Sequence, residues 1–123
     1  MKISVLGAGG WGTTLGILLN ENKHQVTLWE YEEEYAEYLI ANRINKKYLP
    51  GINIPNEIEI THDLESAAEN REIIVLAVPT QFLRGAIKNL SKKNIGGAIL
   101  VSVSKGIEKK SLLTMSQMLK EEF

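Results

Sequence analysis

The 123-residue chain contains no cysteine, which removes thiolate nucleophiles, thiolate-held metals and disulfide staples from its chemistry. The same absence only weakly favours a reducing compartment. An excess of one charge is also missing: 14 Lys and Arg against 15 Asp and Glu leave a formal net charge of −1. Nothing in that balance draws a polyanion or an anionic membrane surface, so neither nucleic acid nor membrane is expected as a partner. Long apolar runs are absent too. The stretch from Met1 to Gly7 is too short for a signal peptide, and no later one approaches the roughly 20 residues that span a bilayer. A soluble cytoplasmic protein is expected. His24 and His62 have no acid or nucleophile at a spacing useful for chemistry, so no metal site or catalytic triad is expected.

What is present is enough for one core. With 44% apolar residues the chain can bury a single domain, since domains of this size hide roughly two-thirds of their unfolded surface. Residues 3–6 form a short apolar run ending in glycines, and Leu15, Leu18 and Leu19 recur at helical spacing over 13–22. Residues 26–29 are β-rich, and the glutamate-rich segment 31–43 repeats the helical pattern with Tyr35, Leu39 and Ile40. Pro50-Gly51 and Pro55 punctuate a long loop over 45–57. A brief strand over 58–61 precedes Asp63, which can cap a short helix through Ala67 and Ala68. Residues 73–78 are apolar without alternation, as in a parallel strand buried on both faces, and are expected mid-sheet. Pro79 stops that strand, Thr80 is placed to cap a helix over 81–90, and a further strand spans 98–101. Leu112, Met115 and Leu119 mark a last helix over 109–122. This alternation predicts an α/β fold, a Rossmann-type doubly wound parallel sheet with helices on both faces.

Gly7, Gly9 and Gly12 fit G-x-G-x-x-G, a short pattern whose meaning depends on its setting. Here it follows a predicted strand and opens a predicted helix, and Glu30 ends the second strand about 20 residues on. Gly7 permits a tight turn, Gly9 lets backbone approach a pyrophosphate, and Gly12 allows helix and strand to pack closely. The carboxylate of Glu30 can accept hydrogen bonds from ribose hydroxyls, and no arginine stands near it to take a 2′-phosphate. That favours NAD over NADP. Glu32, Glu33 and Glu34 suit the first turn of a helix, where the dipole favours negative charge.

Four stretches in order carry a resemblance: Gly7 to Thr13, Asn45 to Gly51, Val78 to Arg84, and Ser104-Lys105-Gly106-Ile107-Glu108. Together they resemble bacterial glycerol-3-phosphate dehydrogenase over the whole chain. That family interconverts glycerone phosphate and sn-glycerol 3-phosphate with NAD(H) or NADP(H) and supplies the backbone of glycerophospholipids. The resemblance implies that Gly10 and Trp11 contact the dinucleotide, that Tyr31 lies on the adenosine side, and that Phe82 packs near the cofactor. From the residues alone, Trp11 and Phe82 suit core packing equally well. Lys105 follows the strand 98–101 and so belongs at the carboxyl end of the sheet, where such folds bind ligands. The resemblance sets it beside both substrate and nicotinamide, where an ammonium stabilises oxygen-centred negative charge.

Family members continue into a helical second domain that carries the general-base lysine, so residues 1–123 are expected to be the truncated dinucleotide-binding domain of such an enzyme. No catalytic base is expected in this chain, which alone would bind nucleotide weakly and turn over negligibly. Exposed apolar surface on the last helix would favour a homo-oligomer. Two other readings stay open: a related superfamily dehydrogenase acting on another hydroxy substrate, and a non-catalytic module that senses nucleotide.

Overall fold

A computed structural model describes residues 1–88, 90, 95–103 and 120, except the side chains at 80, 82, 86 and 87. Strands β1 (Lys2–Leu6), β2 (Gln25–Trp29), β5 (Glu59–Thr61), β6 (Ile73–Leu76) and β7 (Ile99–Ser102) form one parallel sheet in the order β5-β2-β1-β6-β7. A separate antiparallel hairpin joins β3 (Ile44–Asn45) and β4 (Leu49–Asn53). It lies where the sequence reads as plain loop. A two-residue strand shows no periodicity, and Pro50 and Gly51 within β4 disguise the other arm.

Alternation within the strands feeds two cores. Leu6, Trp29, Ile74 and Leu76 face one side with Ala67, Ala68 and Leu83, whereas Ile3, Val5, Val26, Leu28 and Val75 face the other with Tyr35 and Leu39. Helices α1 (Gly10–Glu21) and α2 (Glu33–Asn42) therefore cover the second face, and α3 (Leu64–Ala68) and α4 (Thr80–Ile87) the first. The chain winds outward from β1 to β2 and β5, then returns past β1 to β6 and β7. Crossovers of constant hand must then put the later helices on the opposite face. The expected doubly wound sheet is found, and β6 is interior, flanked by β1 and β7.

The helix ends follow local chemistry with two departures. Asp63 caps α3 as expected, accepting from the Ser66 N–H at 3.2 Å. Helix α2 places Glu33 and Glu34 in its first turn and ends on Arg43 in the left-handed region, whose guanidinium donates to the Ile58 carbonyl at 2.6 Å. The first departure is α1, which starts at Gly10 rather than Thr13, so Gly10 and Gly12 join Gly16 as poor helix formers inside it. Burial of Gly12, Thr13 and Gly16 overrides their propensity. The second is α4, where Pro79 occupies the cap position and Thr80 is the first helical residue. Proline's fixed φ and missing N–H suit a helix entry, so Thr80 is not needed as a cap. Strand β7 runs one residue later than the expected 98–101. The expected helix over 109–122 lies outside the described residues. Among the described residues no helix is long and apolar enough to cross a membrane.

Candidate functional site

Strand order reverses between β1 and β6, and there their exits lead to opposite faces of the sheet, opening a crevice at the carboxyl ends. The turn from Gly7 to Gly12 lines it. Gly7 has φ +121°, and a Cβ there would meet the Ala77 carbonyl carbon at 2.8 Å. A Cβ on Gly12 would stand 1.9 Å from the Gly7 carbonyl oxygen and 3.2 Å from the Ala77 Cβ. One on Gly10 would meet the Tyr48 carbonyl oxygen at 2.8 Å. Backbone atoms thus require three of the glycines. Gly9 is different: a Cβ there meets nothing within 4 Å, and its φ of −73° is open to any residue.

Gly9 also caps α1 without a side chain. The first N–H to find a helical acceptor is that of Thr13, which donates to the Gly9 carbonyl at 3.0 Å. The N–H groups of Gly10, Trp11 and Gly12 precede it and have no intrahelical acceptor, so they present the positive end of the helix dipole. Backbone amides in this arrangement suit an anion.

Behind the turn, the β3–β4 hairpin inserts the buried side chain of Asn45. Its Nδ2 donates to the Ala8 carbonyl at 2.7 Å and to Thr13 Oγ1 at 2.9 Å, and its Oδ1 accepts from the Tyr35 hydroxyl of α2. The Tyr35 hydroxyl accepts in turn from the Lys47 N–H at 3.2 Å. Lys47 sets its Nζ 4.4 Å from the Tyr35 ring, and Lys46 lies over Tyr38, which stacks on Tyr35.

At the end of β2 the Glu30 N–H donates to the Thr61 carbonyl at 2.9 Å and extends the sheet ladder. Glu30 is 9% exposed, and its carboxylate accepts from the Glu32 N–H at 3.0 Å. Burial pushes the Glu30 carboxyl above the usual glutamate range, against the lowering effect of that N–H; Glu32's negative charge adds to the rise and Lys47's positive charge opposes it. A cation therefore does act on Glu30. It comes from the hairpin, which proximity along the chain could not reveal. Tyr31 is 72% exposed and meets Trp29 edge-on at 6.2 Å, while Trp29 Nε1 donates to the His62 carbonyl at 3.0 Å. Folding also brings His62 Nε2 to 3.8 Å from the Glu33 carboxylate, a partner 29 residues away in sequence.

Gly7, Gly9, Gly10, Trp11, Gly12, Glu30 and Tyr31 therefore gather at the carboxyl ends of β1 and β2. Trp11 is 59% exposed, so it is a surface residue of the turn and not core. Phe82 falls within α4, but its side chain lies outside the described residues, as does Lys105 entirely. The chain leaves β7 toward the same end, the Val103 N–H donating to the Leu76 carbonyl at 3.0 Å. Asn45 and Lys47 are the members that residue-by-residue reading missed. Their only signal was the resemblance of the stretch from Asn45 to Gly51.

Residues 2–123 match the family described as NAD-dependent glycerol-3-phosphate dehydrogenase N-terminus. The chain belongs to this family. Among curated relatives, the glycerol-3-phosphate dehydrogenase [NAD(P)+] of Fusobacterium nucleatum is 43% identical over 122 residues, covering 99% of this chain and 36% of the relative. That of a Thermoanaerobacter species is 46% identical over 121 residues, covering 98% and 36%. The chain thus spans about a third of the length of these relatives. A solved glycerol-3-phosphate dehydrogenase from Saccharomyces cerevisiae superposes with a TM-score of 0.85 at 31% identity, covering 100% of this chain and 39% of that one. The Coxiella burnetii structure gives 0.81 at 28% identity, covering 98% and 36%. The site fits the dinucleotide that the family name implies: N–H groups without an intrahelical acceptor for phosphates, space at Gly9 that no described residue fills, and a carboxylate for ribose.

Proposed function

We propose that residues 1–123 are the dinucleotide-binding domain of a cytoplasmic enzyme that interconverts glycerone phosphate and sn-glycerol 3-phosphate, feeding glycerophospholipid synthesis. Gly9 carries the reading. No described protein atom requires a glycine there, whereas a bound pyrophosphate lying against the N-terminus of α1 does. In this reading Gly10, Trp11 and Gly12 donate backbone N–H groups to the phosphates, Glu30 accepts from the adenosine ribose, and Tyr31 borders the adenosine. Gly7 and Gly12 keep the turn tight enough for the phosphates to reach those N–H groups. Phe82 packs near the nicotinamide half, and Lys105 holds substrate beside it. When bound, the nicotinamide supplies or takes the hydride. The general base belongs to the helical second domain of the whole protein, and copies of the protein associate with one another.

NAD is the favoured cofactor because an ionised Glu30 repels a 2′-phosphate. A second reading, acceptance of NADP as well, is supported by Lys47, whose charge acts at Glu30. Titration of NADH and NADPH against Trp11 and Trp29 fluorescence separates them. NADH binding more tightly is the expected result, and tighter NADPH overturns the reading of Glu30.

A further inference from the structure

Buried asparagine is costly unless its amide is satisfied, and Asn45, 0% exposed, spends both hydrogens of its amide nitrogen on the back of the glycine turn and its amide oxygen on Tyr35. The pattern has a direction. A turn that binds an anion must point its N–H groups outward and its carbonyls away, because a carbonyl oxygen facing a phosphate oxygen is repelled. Two of the four carbonyls from Leu6 to Gly9 are held by the sheet or the helix: Leu6 accepts from the Ala77 N–H at 2.9 Å and Gly9 accepts from the Thr13 N–H at 3.0 Å. The Ala8 carbonyl has neither sheet nor helix to hold it. It is held by Asn45 Nδ2 at 2.7 Å, and the second hydrogen of that nitrogen goes to Thr13 in the first turn of α1. The Tyr35 hydroxyl, donating to Oδ1, decides which end of the amide faces the turn. The hairpin's second touch, the Tyr48 carbonyl against Gly10, presses on the same turn from the same element.

We propose that Asn45 is a positioning residue for the phosphate-binding turn, holding the Ala8 carbonyl inward so that the N–H groups of Gly10, Trp11 and Gly12 face the ligand. Tyr35 sets the orientation of its amide. The inference rests on reading the turn as a dinucleotide site, and it makes the β3–β4 hairpin part of that site.

Asn45→Asp tests it, because it keeps the volume and the acceptor for Tyr35 while replacing both donated hydrogens with lone pairs. The full chain and the variant are titrated with ADP-ribose and with adenosine by tryptophan fluorescence, at a temperature where circular dichroism shows both folded. The variant is expected to bind ADP-ribose at least about tenfold more weakly and adenosine within about twofold of the parent. Equal losses for the two ligands, as a merely structural role would give, overturn the proposal, and so does no loss for either. If Asn45→Asp does not fold, Tyr35→Phe takes its place, with ADP-ribose weakened about threefold and adenosine unchanged. Unchanged ADP-ribose binding there is equally fatal. A parent chain that binds neither ADP-ribose nor NADH overturns the dinucleotide reading and this inference together, whereas a binding parent with variants of equal affinity overturns this inference alone.

Discussion

Glu30 shows how one side chain serves ligand and fold in opposite ways. In the proposed function its carboxylate accepts from ribose hydroxyls, but burial makes the charge costly. Because its folded-state pKa is raised, the folded chain binds this proton more tightly than the unfolded chain does. Its contribution to stability is therefore full below the ordinary glutamate pKa and is lost as pH rises through the folded value. Glu30→Gln is expected to raise the melting temperature at neutral pH, by a margin that closes as pH falls through that window, while NADH binding weakens about tenfold. Calorimetry across pH and a fluorescence titration check the two halves. Ser4 offers a simpler case: fully buried in β1, its hydroxyl finds no partner among the described residues. Ser4→Ala is expected to stabilise the chain by about 1 kcal/mol in denaturant unfolding, with cofactor binding unchanged. Residue type announced Glu30 as a ribose partner, but its burial and the charge of Lys47 could not be read there, because both come from segments distant in sequence.

Among the elements, the turn leading into α1 separates two kinds of glycine that look identical in sequence. Gly12→Ala puts a methyl 1.9 Å from the Gly7 carbonyl oxygen and is expected to cost at least about 3 kcal/mol of stability. Gly9→Ala meets open space and is expected to cost under about 1 kcal/mol while weakening NADH at least about tenfold, since its methyl occupies the pyrophosphate's approach. Thermal unfolding paired with titration distinguishes them, and loss of stability in both would mean that Gly9 is structural. The hairpin makes a separate prediction. Lys47→Ala removes the cation acting at Glu30 and is expected to weaken NADPH about fivefold more than NADH. Equal effects on the two cofactors would remove Lys47 from cofactor choice. Strands and helices with clear periods were legible, down to the Asp63 cap. The hairpin was not, because two residues of β3 carry no period and Pro50-Gly51 reads as a loop.

For the molecule as a whole, the proposed reaction draws its general base from outside residues 1–123. With NADH and glycerone phosphate, steady-state turnover by residues 1–123 alone is expected to be negligible beside that of a whole protein containing them. Parent-like turnover would show that the general base lies within this chain. The sheet positions the candidate site through its strand order: β1 and β6 send their chains to opposite faces, and the crevice between them is where the glycine turn and the exit of β7 converge.

The sequence by itself determined the alternation of strands and helices, the parallel sheet and the glycine turn with its carboxylate, since each is written in local periodicity and in residues whose backbone freedom or charge is intrinsic. Tertiary structure alone decided why Gly7, Gly10 and Gly12 are needed, that Trp11 stands at the surface, that Lys47 acts on Glu30, and that Asn45 braces the turn. These are facts about atoms meeting across long stretches of chain. Whether a methyl fits, or an amide finds its acceptor, depends on what the rest of the fold has already put there.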